Sequence, residues 1–321
     1  MKKMKRILNT IIVGTFALLT LIGGINPAQA AEKKKVMTTF YPVYYLAERI
    51  GGDAVEVSML LNDNQDAHDY EAGAKDAAKV QETDLFIYQD DEMEHFASHL
   101  LTLIDTNKTK VLKSTEGIKL LKGDADHDHD HDDHDHDDHD HDHDHEHEHT
   151  HEFDPHTWLD PTIYAKQAEN VRDALIGLDP DNKEVFEKNA DALLKDLKQL
   201  DEDYKKGLEP LKDHTIVVQH KAFGYLAHAY HLEQVGISGI QTTQEPSAKA
   251  LAEIQDFVKE HDIKVIYVDP TLDASAAKAV ADATGAELRT LSTLESLPKD
   301  QRDKGADYLS VMRDNLKSLT K

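Results

Sequence analysis

There is no cysteine among the 321 residues. Disulfides and thiolate metal sites are therefore excluded, and no lipid can be attached to a cysteine behind an apolar leader. Basic residues are also few, with 36 Lys and Arg against 62 Asp and Glu and a formal net charge of −26. A surface of that sign repels nucleic acid and attracts cations. Outside a histidine- and acid-rich run at 127–152, where HEHEH and HEHTH fall within the low-complexity repeat, the chain has no HExxH motif of the zinc-peptidase helix, which argues against a secreted zinc hydrolase. What the chain does have is enough apolar residue content, 39%, for sizeable cores, and a length that admits two domains.

Residues 1–30, MKKMKRILNTIIVGTFALLTLIGGINPAQA, begin with Lys2, Lys3, Lys5 and Arg6, continue through an apolar run to about Ile25, and end in Ala28-Gln29-Ala30. This order is expected to be a secretory signal cleaved after Ala30. The remaining chain is then exported and extracytoplasmic, with no cysteine to make it a lipoprotein.

The segment Asp124 to Glu152 holds fifteen acids, no Lys or Arg, and twelve histidines: His127, His129, His131, His134, His136, His139, His141, His143, His145, His147, His149 and His151. Such a composition is expected to form a disordered, solvated loop. Imidazoles with an ordinary pKa of about 6.5 are mostly neutral at pH 7 and open to metal. Each set must be ordered on binding, so these are auxiliary, weak sites beside any prebuilt one.

Elsewhere, apolar strands alternate with amphipathic helices in two blocks. Strands are expected at 36–40, 55–61, 84–90 and 110–114, and again at 215–220, 232–237, 263–269 and 287–292. That alternation predicts an α/β fold of two parallel-sheet lobes. Their expected extents are 31–178, including the loop 124–152, and 211–321. EAGAKDAAKVQ (71–81) and EPSAKALAEIQ (245–255) share Glu, Ala, Lys, Ala and Gln at one offset, and Tyr45-Leu46-Ala47 recurs as Tyr225-Leu226-Ala227. Two matches in the same order favour an internal duplication. Between the blocks, Asp179 as N-cap and Pro180 as first residue predict a helix over 179–210. Its apolar stripe runs Phe186, Ala190, Leu193, Leu197, Leu200, Tyr204, Leu208. At 1.5 Å per residue this linking helix is more than about 40 Å long, enough to tie both lobes together rigidly.

Four potential ligands lie just beyond the carboxyl ends of expected strands, where open α/β sheets bind ligands. They are His68, His156, His220 and Glu295, with Asp269 as the alternative fourth. Three imidazoles and a carboxylate suit zinc in the absence of cysteine. The flanking motifs HDYEAGAKD, DPHTWLDP and QHKAFGYLA, with a long helix between the second and third, resemble the cluster A-I solute-binding proteins of zinc ABC transporters, a family that includes adhesin-type lipoproteins. The resemblance extends from TTFYPVYYLAERIGGD to the end of the chain. It implies two α/β lobes joined by a rigid helix, one Zn2+ ion carried in the cleft as cargo, and an ABC permease in the cytoplasmic membrane as partner. It matches the family's three histidines to His68, His156 and His220, and its variable fourth ligand to Glu295. Manganese-binding relatives tend to carry Glu at the third place, so His220 points to zinc. A manganese receptor and a surface metal buffer or adhesin working through the histidine tract are the alternatives. A monomer is expected.

Other residues have plainer readings. His95 and His99 stand four apart and are expected to be ordinary helix histidines, and His214, His228, His231 and His261 to lie on the surface. Trp158 either shields the metal or simply packs. Asp154 and Asp160 are candidate acceptors for a ligand's second ring N–H. Protonation of the histidines is expected to weaken capture below about pH 6.5.

Overall fold

Among the described residues, short runs that mostly carry Val, Ile or Tyr form eight strands: β1 (Lys34–Thr38), β2 (Val55–Met59), β3 (Leu85–Tyr88), β4 (Lys110–Lys113), β5 (Thr215–His220), β6 (Glu233–Ser238), β7 (Val265–Val268) and β8 (Glu287–Thr290). Ten α-helices among the described residues connect or flank them: α1 (Tyr41–Gly51), α2 (Ala74–Gln81), α3 (Phe96–Thr102), α4 (Pro161–Leu178), α5 (Lys183–Leu208), α6 (Gly224–Tyr230), α7 (Ala248–Glu260), α8 (Ser275–Thr284), α9 (Lys299–Arg302) and α10 (Tyr308–Leu319). The structure is a computed structural model that describes residues 32–63, 65–123, 152–211, 213–240 and 246–321. The leader 1–30 and the tract histidines His127 to His151 lie outside the described residues.

The strands form two parallel sheets ordered β2-β1-β3-β4 and β6-β5-β7-β8. Every pairing is parallel, so each link crosses over through helix or loop, and the strand order reverses beside β1 in one sheet and beside β5 in the other. The identical order is the structural counterpart of the repeated sequence. Its matched stretches fall on α2 and α7, each leading into the third strand of its lobe.

Helix α5 carries the expected stripe, and Phe186, Ala190, Leu193, Leu197, Leu200, Tyr204 and Leu208 are all buried. Its start differs from the sequence expectation. Pro180–Asn182 form a 3-10 turn and the α-helix begins at Lys183. The Asp179 carboxylate is taken by the Asn182 side-chain amide (2.7 Å) and caps no helix N–H. The 26 helical residues span about 39 Å. Asn189 Nδ2 of α5 donates to the Ile50 carbonyl (3.0 Å) and Tyr204 Oη donates to the Met312 carbonyl (2.7 Å), so α5 is bonded to α1 of the first lobe and α10 of the last. One apolar core runs from the first sheet through α4 and α5 to α10, and a smaller one lies between the second sheet and α7 and α8.

Candidate metal centre

His220 is the last residue of β5, at the point where the strand order of its sheet reverses. His68 follows β2, Glu295 follows β8, and His156 precedes α4 in the connection from β4. All four thus come from the carboxyl ends of parallel strands, two from each lobe. Each offers one ligand atom, and these atoms lie within 4.8 Å of one another. His68, His156 and His220 are buried, and the Glu295 side chain is only 10% exposed. The His68 ring stands 5.3 Å from that of His156 and 5.8 Å from that of His220. Asp269, the alternative fourth ligand, is not in the group: its Oδ1 accepts from the Thr271 N–H (2.6 Å) and hydroxyl, and its Oδ2 from the Thr293 N–H (2.6 Å) and hydroxyl (3.1 Å).

The partners of two histidines decide which ring nitrogen faces the centre. His156 Nδ1 lies 2.7 Å from Asp154 Oδ1, and His220 Nδ1 lies 3.0 Å from the Gly239 carbonyl. Both partners only accept, so both Nδ1 atoms carry hydrogen and both Nε2 atoms offer lone pairs when the rings are neutral. Those two Nε2 atoms are 3.2 Å apart, and they lie 3.4 and 3.1 Å from Glu295 Oε1. A tetrahedron with metal–ligand bonds of about 2.0–2.1 Å has edges of about 3.3–3.4 Å. Three electron-rich atoms are therefore held at the spacing a bound cation requires.

Without a metal, protons meet the same demand. Burial alone would raise the Glu295 carboxyl pKa, but His220, His156 and His68 hold it well below the usual range. Burial pulls His156 down, yet Asp154 and then Glu295 outweigh that and raise it to about 9. The ordinary imidazole value is thus the wrong reference for this residue.

The His156 loop is fixed from several sides. Gln89 Nε2 donates to the Pro155 carbonyl (3.1 Å) and to Thr157 Oγ1 (2.5 Å), bracketing the histidine, and Gln167 Nε2 donates to Gln89 Oε1 (2.7 Å). Asp154 lies against Gly224, where any Cβ would overlap the carboxylate. Tyr225 Oη donates to the Asp154 carbonyl (2.8 Å). Just upstream, Lys122 and Phe153 form an antiparallel bridge and the Gly123 N–H donates to the Glu152 carbonyl (2.9 Å). The two ends of the acidic tract therefore meet next to the His156 loop.

A family model described as ZnuA, zinc-uptake complex component A, periplasmic, matches residues 36–321. The chain belongs to this family. It is 35% identical over 313 residues to the high-affinity zinc uptake system protein ZnuA of Bacillus subtilis, covering 96% of this chain and 95% of that one. It is 39% identical over 322 residues to the zinc-binding lipoprotein AdcA of Streptococcus pneumoniae, covering 98% of this chain but 60% of AdcA's length. The crystal structure of the Zn(II)-bound ZnuA-like domain of that species' AdcA superposes with a TM-score of 0.75 at 37% identity, over 90% of this chain and 98% of the domain.

Within this ZnuA-family fold the remaining sequence expectations separate. Asp154 binds a ring N–H as anticipated, whereas Asp160 caps α4 by accepting from the Thr162 N–H (2.7 Å). Asp160 precedes Pro161 at a helix start, and that position claims its carboxylate. Trp158 is fully buried against His156 (ring centroids 5.3 Å) and donates to the Thr293 carbonyl (2.7 Å). His99 lies on the exposed side of α3 and His95 just before it, and His214, His228, His231 and His261 are exposed. Gln89, Gly224 and Thr293 were not legible as site residues. The one signal for Gln89 is its place in YQD, opposite YVD in the repeated block.

Proposed function

We propose that this ZnuA-family chain is an extracytoplasmic receptor that captures one Zn2+ ion through His68, His156, His220 and Glu295 and passes it to the permease of a zinc-uptake ABC transporter. The observation that carries the reading is the convergence of His156 Nε2, His220 Nε2 and Glu295 Oε1 at 3.1–3.4 Å, with both imidazoles turned by acceptor-only partners. Three imidazoles favour zinc over the harder manganese and calcium ions. The zinc named for the AdcA domain supports the same choice. A closed set of four protein ligands leaves no open position for an activated water, as a receptor requires and a zinc hydrolase does not. Ligands drawn from both lobes make capture depend on how the two meet, and the permease would act by separating them. The leader at 1–30 supplies the export, and the histidine tract serves as a weaker collector of zinc.

Titration of the metal-free protein against a competing chelator tests this. One tight zinc site is expected that excess Mn2+ does not displace. H68A, H156A and H220A should each weaken it beyond the roughly 10–100-fold typical of losing an outer partner. Equal affinity in H68A or H220A would sink the assignment. For the transport step, loss of the gene should slow growth under chelation, and added zinc should restore it.

A further inference from the structure

Glu295 is presented by a turn that needs support. Leu294, the residue before it, has φ 60° and is completely buried. A branched residue in the left-handed region is strained and persists only where its surroundings hold it. Asn315 holds the preceding Ser292 by its N–H and carbonyl (2.8 Å each), and Thr293 is held at three points. Its N–H and hydroxyl donate to Asp269 Oδ2 (2.6 and 3.1 Å), and its carbonyl accepts from Trp158 Nε1 (2.7 Å). Asp269 stands at the end of β7, with its other oxygen bonded to Thr271. Trp158 lies two residues beyond His156, and its own carbonyl accepts from Tyr308 Oη (2.5 Å). Thr293, Asp269, Trp158 and Tyr308 are each at most 4% exposed, so water cannot replace the bonds between them.

We infer that Asp269 and Trp158 are positioning residues for metal capture. Together they grip Thr293 by its N–H, hydroxyl and carbonyl and so fix the turn that aims Glu295, and Trp158 makes that aim depend on the placement of the His156 loop. Asp269 in this role touches no metal. The inference rests on the reading of His68, His156, His220 and Glu295 as the zinc ligands.

The chemistry of the bracket suggests conservative tests. In D269N the side chain keeps its shape, but one acceptor oxygen becomes an NH2 donor, so either the Thr271 or the Thr293 N–H loses its acceptor. W158F keeps an aromatic ring and removes the indole N–H. T293V removes only the hydroxyl and serves if D269N does not fold. Zinc affinity is measured by chelator competition on the full chain for each variant, alone and combined with E295A. The visible spectrum of the Co2+-loaded protein is recorded in parallel.

Each single variant is expected to weaken zinc about 10–30-fold, within the range for outer-shell partners. In the E295A background the same change should cost less than about twofold, because the effect passes through the missing carboxylate. The cobalt spectrum of D269N should shift toward that of E295A. Equal losses with and without Glu295, or no loss in any single variant, would overturn the positioning role while leaving the ligand set standing. Wild-type affinity in E295A would overturn both.

Discussion

Asp63 and Arg302 form an ion pair at 3.1 Å that joins the loop bearing His68 to the helix following Glu295. Asp63 Oδ2 also accepts from the Lys299 N–H (2.6 Å), its carbonyl accepts from Ser296 Oγ (3.1 Å), and the Arg302 guanidinium lies over the Tyr44 ring at 5.5 Å. The segments that supply a ligand from each lobe are therefore tied together outside the centre. Both side chains are about a quarter exposed, at 23% and 24%, so the pair is worth at most about 1 kcal/mol. R302A should accordingly speed zinc release about three- to fivefold at low ionic strength, and the difference should vanish near 1 M salt. Stopped-flow transfer of zinc to a chelator measures this, and a salt-independent rate ratio would contradict it.

The metal-free protein should be most stable in mild acid. Burial raises Asp90 to about 7, and burial with Asp90 nearby raises Glu94 to about 8. These carboxyls hold protons in the folded state that the unfolded chain gives up, so their contribution is complete below their ordinary values of 3.8 and 4.5 and is lost as pH rises through 7 and 8. His156, raised from 6.5 to about 9, has the same sign: its contribution is complete below 6.5 and lost as pH passes 9. Glu295 runs the other way, being lowered, and its contribution is lost on acidification below 4.5. The melting temperature of the metal-free chain should peak near about pH 5 and fall toward pH 9. A melting temperature that climbs over this interval would refute the balance.

Zinc must displace the His156 proton, so apparent affinity should keep rising with pH up to about 9. The ordinary imidazole value predicts a plateau near about 7. Competition titrations between pH 6 and pH 9, values bracketing the two pKa positions, separate these outcomes.

Gly224 owes its identity to Asp154, whose carboxylate occupies the space a Cβ would need. G224A should push Asp154 off His156 Nδ1 and weaken zinc by about 10–100-fold. D154A should do the same, and the double variant should be no worse than either alone. Additive losses in calorimetric titrations would show that Gly224 acts elsewhere.

Removing residues 124–151 should leave both the melting temperature and the tight site unchanged, because Gly123 and Glu152 are already bonded to each other. The number of weak zinc equivalents per chain should drop, as isothermal titration can count. Loss of the tight site on deletion would move the main role to the tract.

All eight strands lie where alternation and apolar runs place them, because those signals are local and the sheets are built from them. His68, His156 and His220 were legible through the flanking motifs HDYEAGAKD, DPHTWLDP and QHKAFGYLA, and Glu295 by its place after the last strand. The start of α5 was not, since Asn182 competes for the Asp179 carboxylate that the cap rule assigns to the helix. Asp154 and Asp160 each precede a critical residue, and only the fold shows that one serves a ring and the other a helix. Asp63 with Arg302 and Trp158 with Thr293 are hidden for the same reason, being separated by 239 and 135 positions.

The shared strand order of the two sheets puts Asp90 and Asp269 at equivalent places, each two or fewer residues past the third strand of its lobe. In both, Oδ1 accepts from the N–H two residues on, at 3.0 Å from Glu92 and 2.6 Å from Thr271. Only in the second copy do Thr293 donors occupy the other oxygen. The two matching lobes thus use one corresponding carboxylate differently. In one lobe burial raises the acid to about 7, and in the other the carboxylate is the foundation of a ligand-bearing turn.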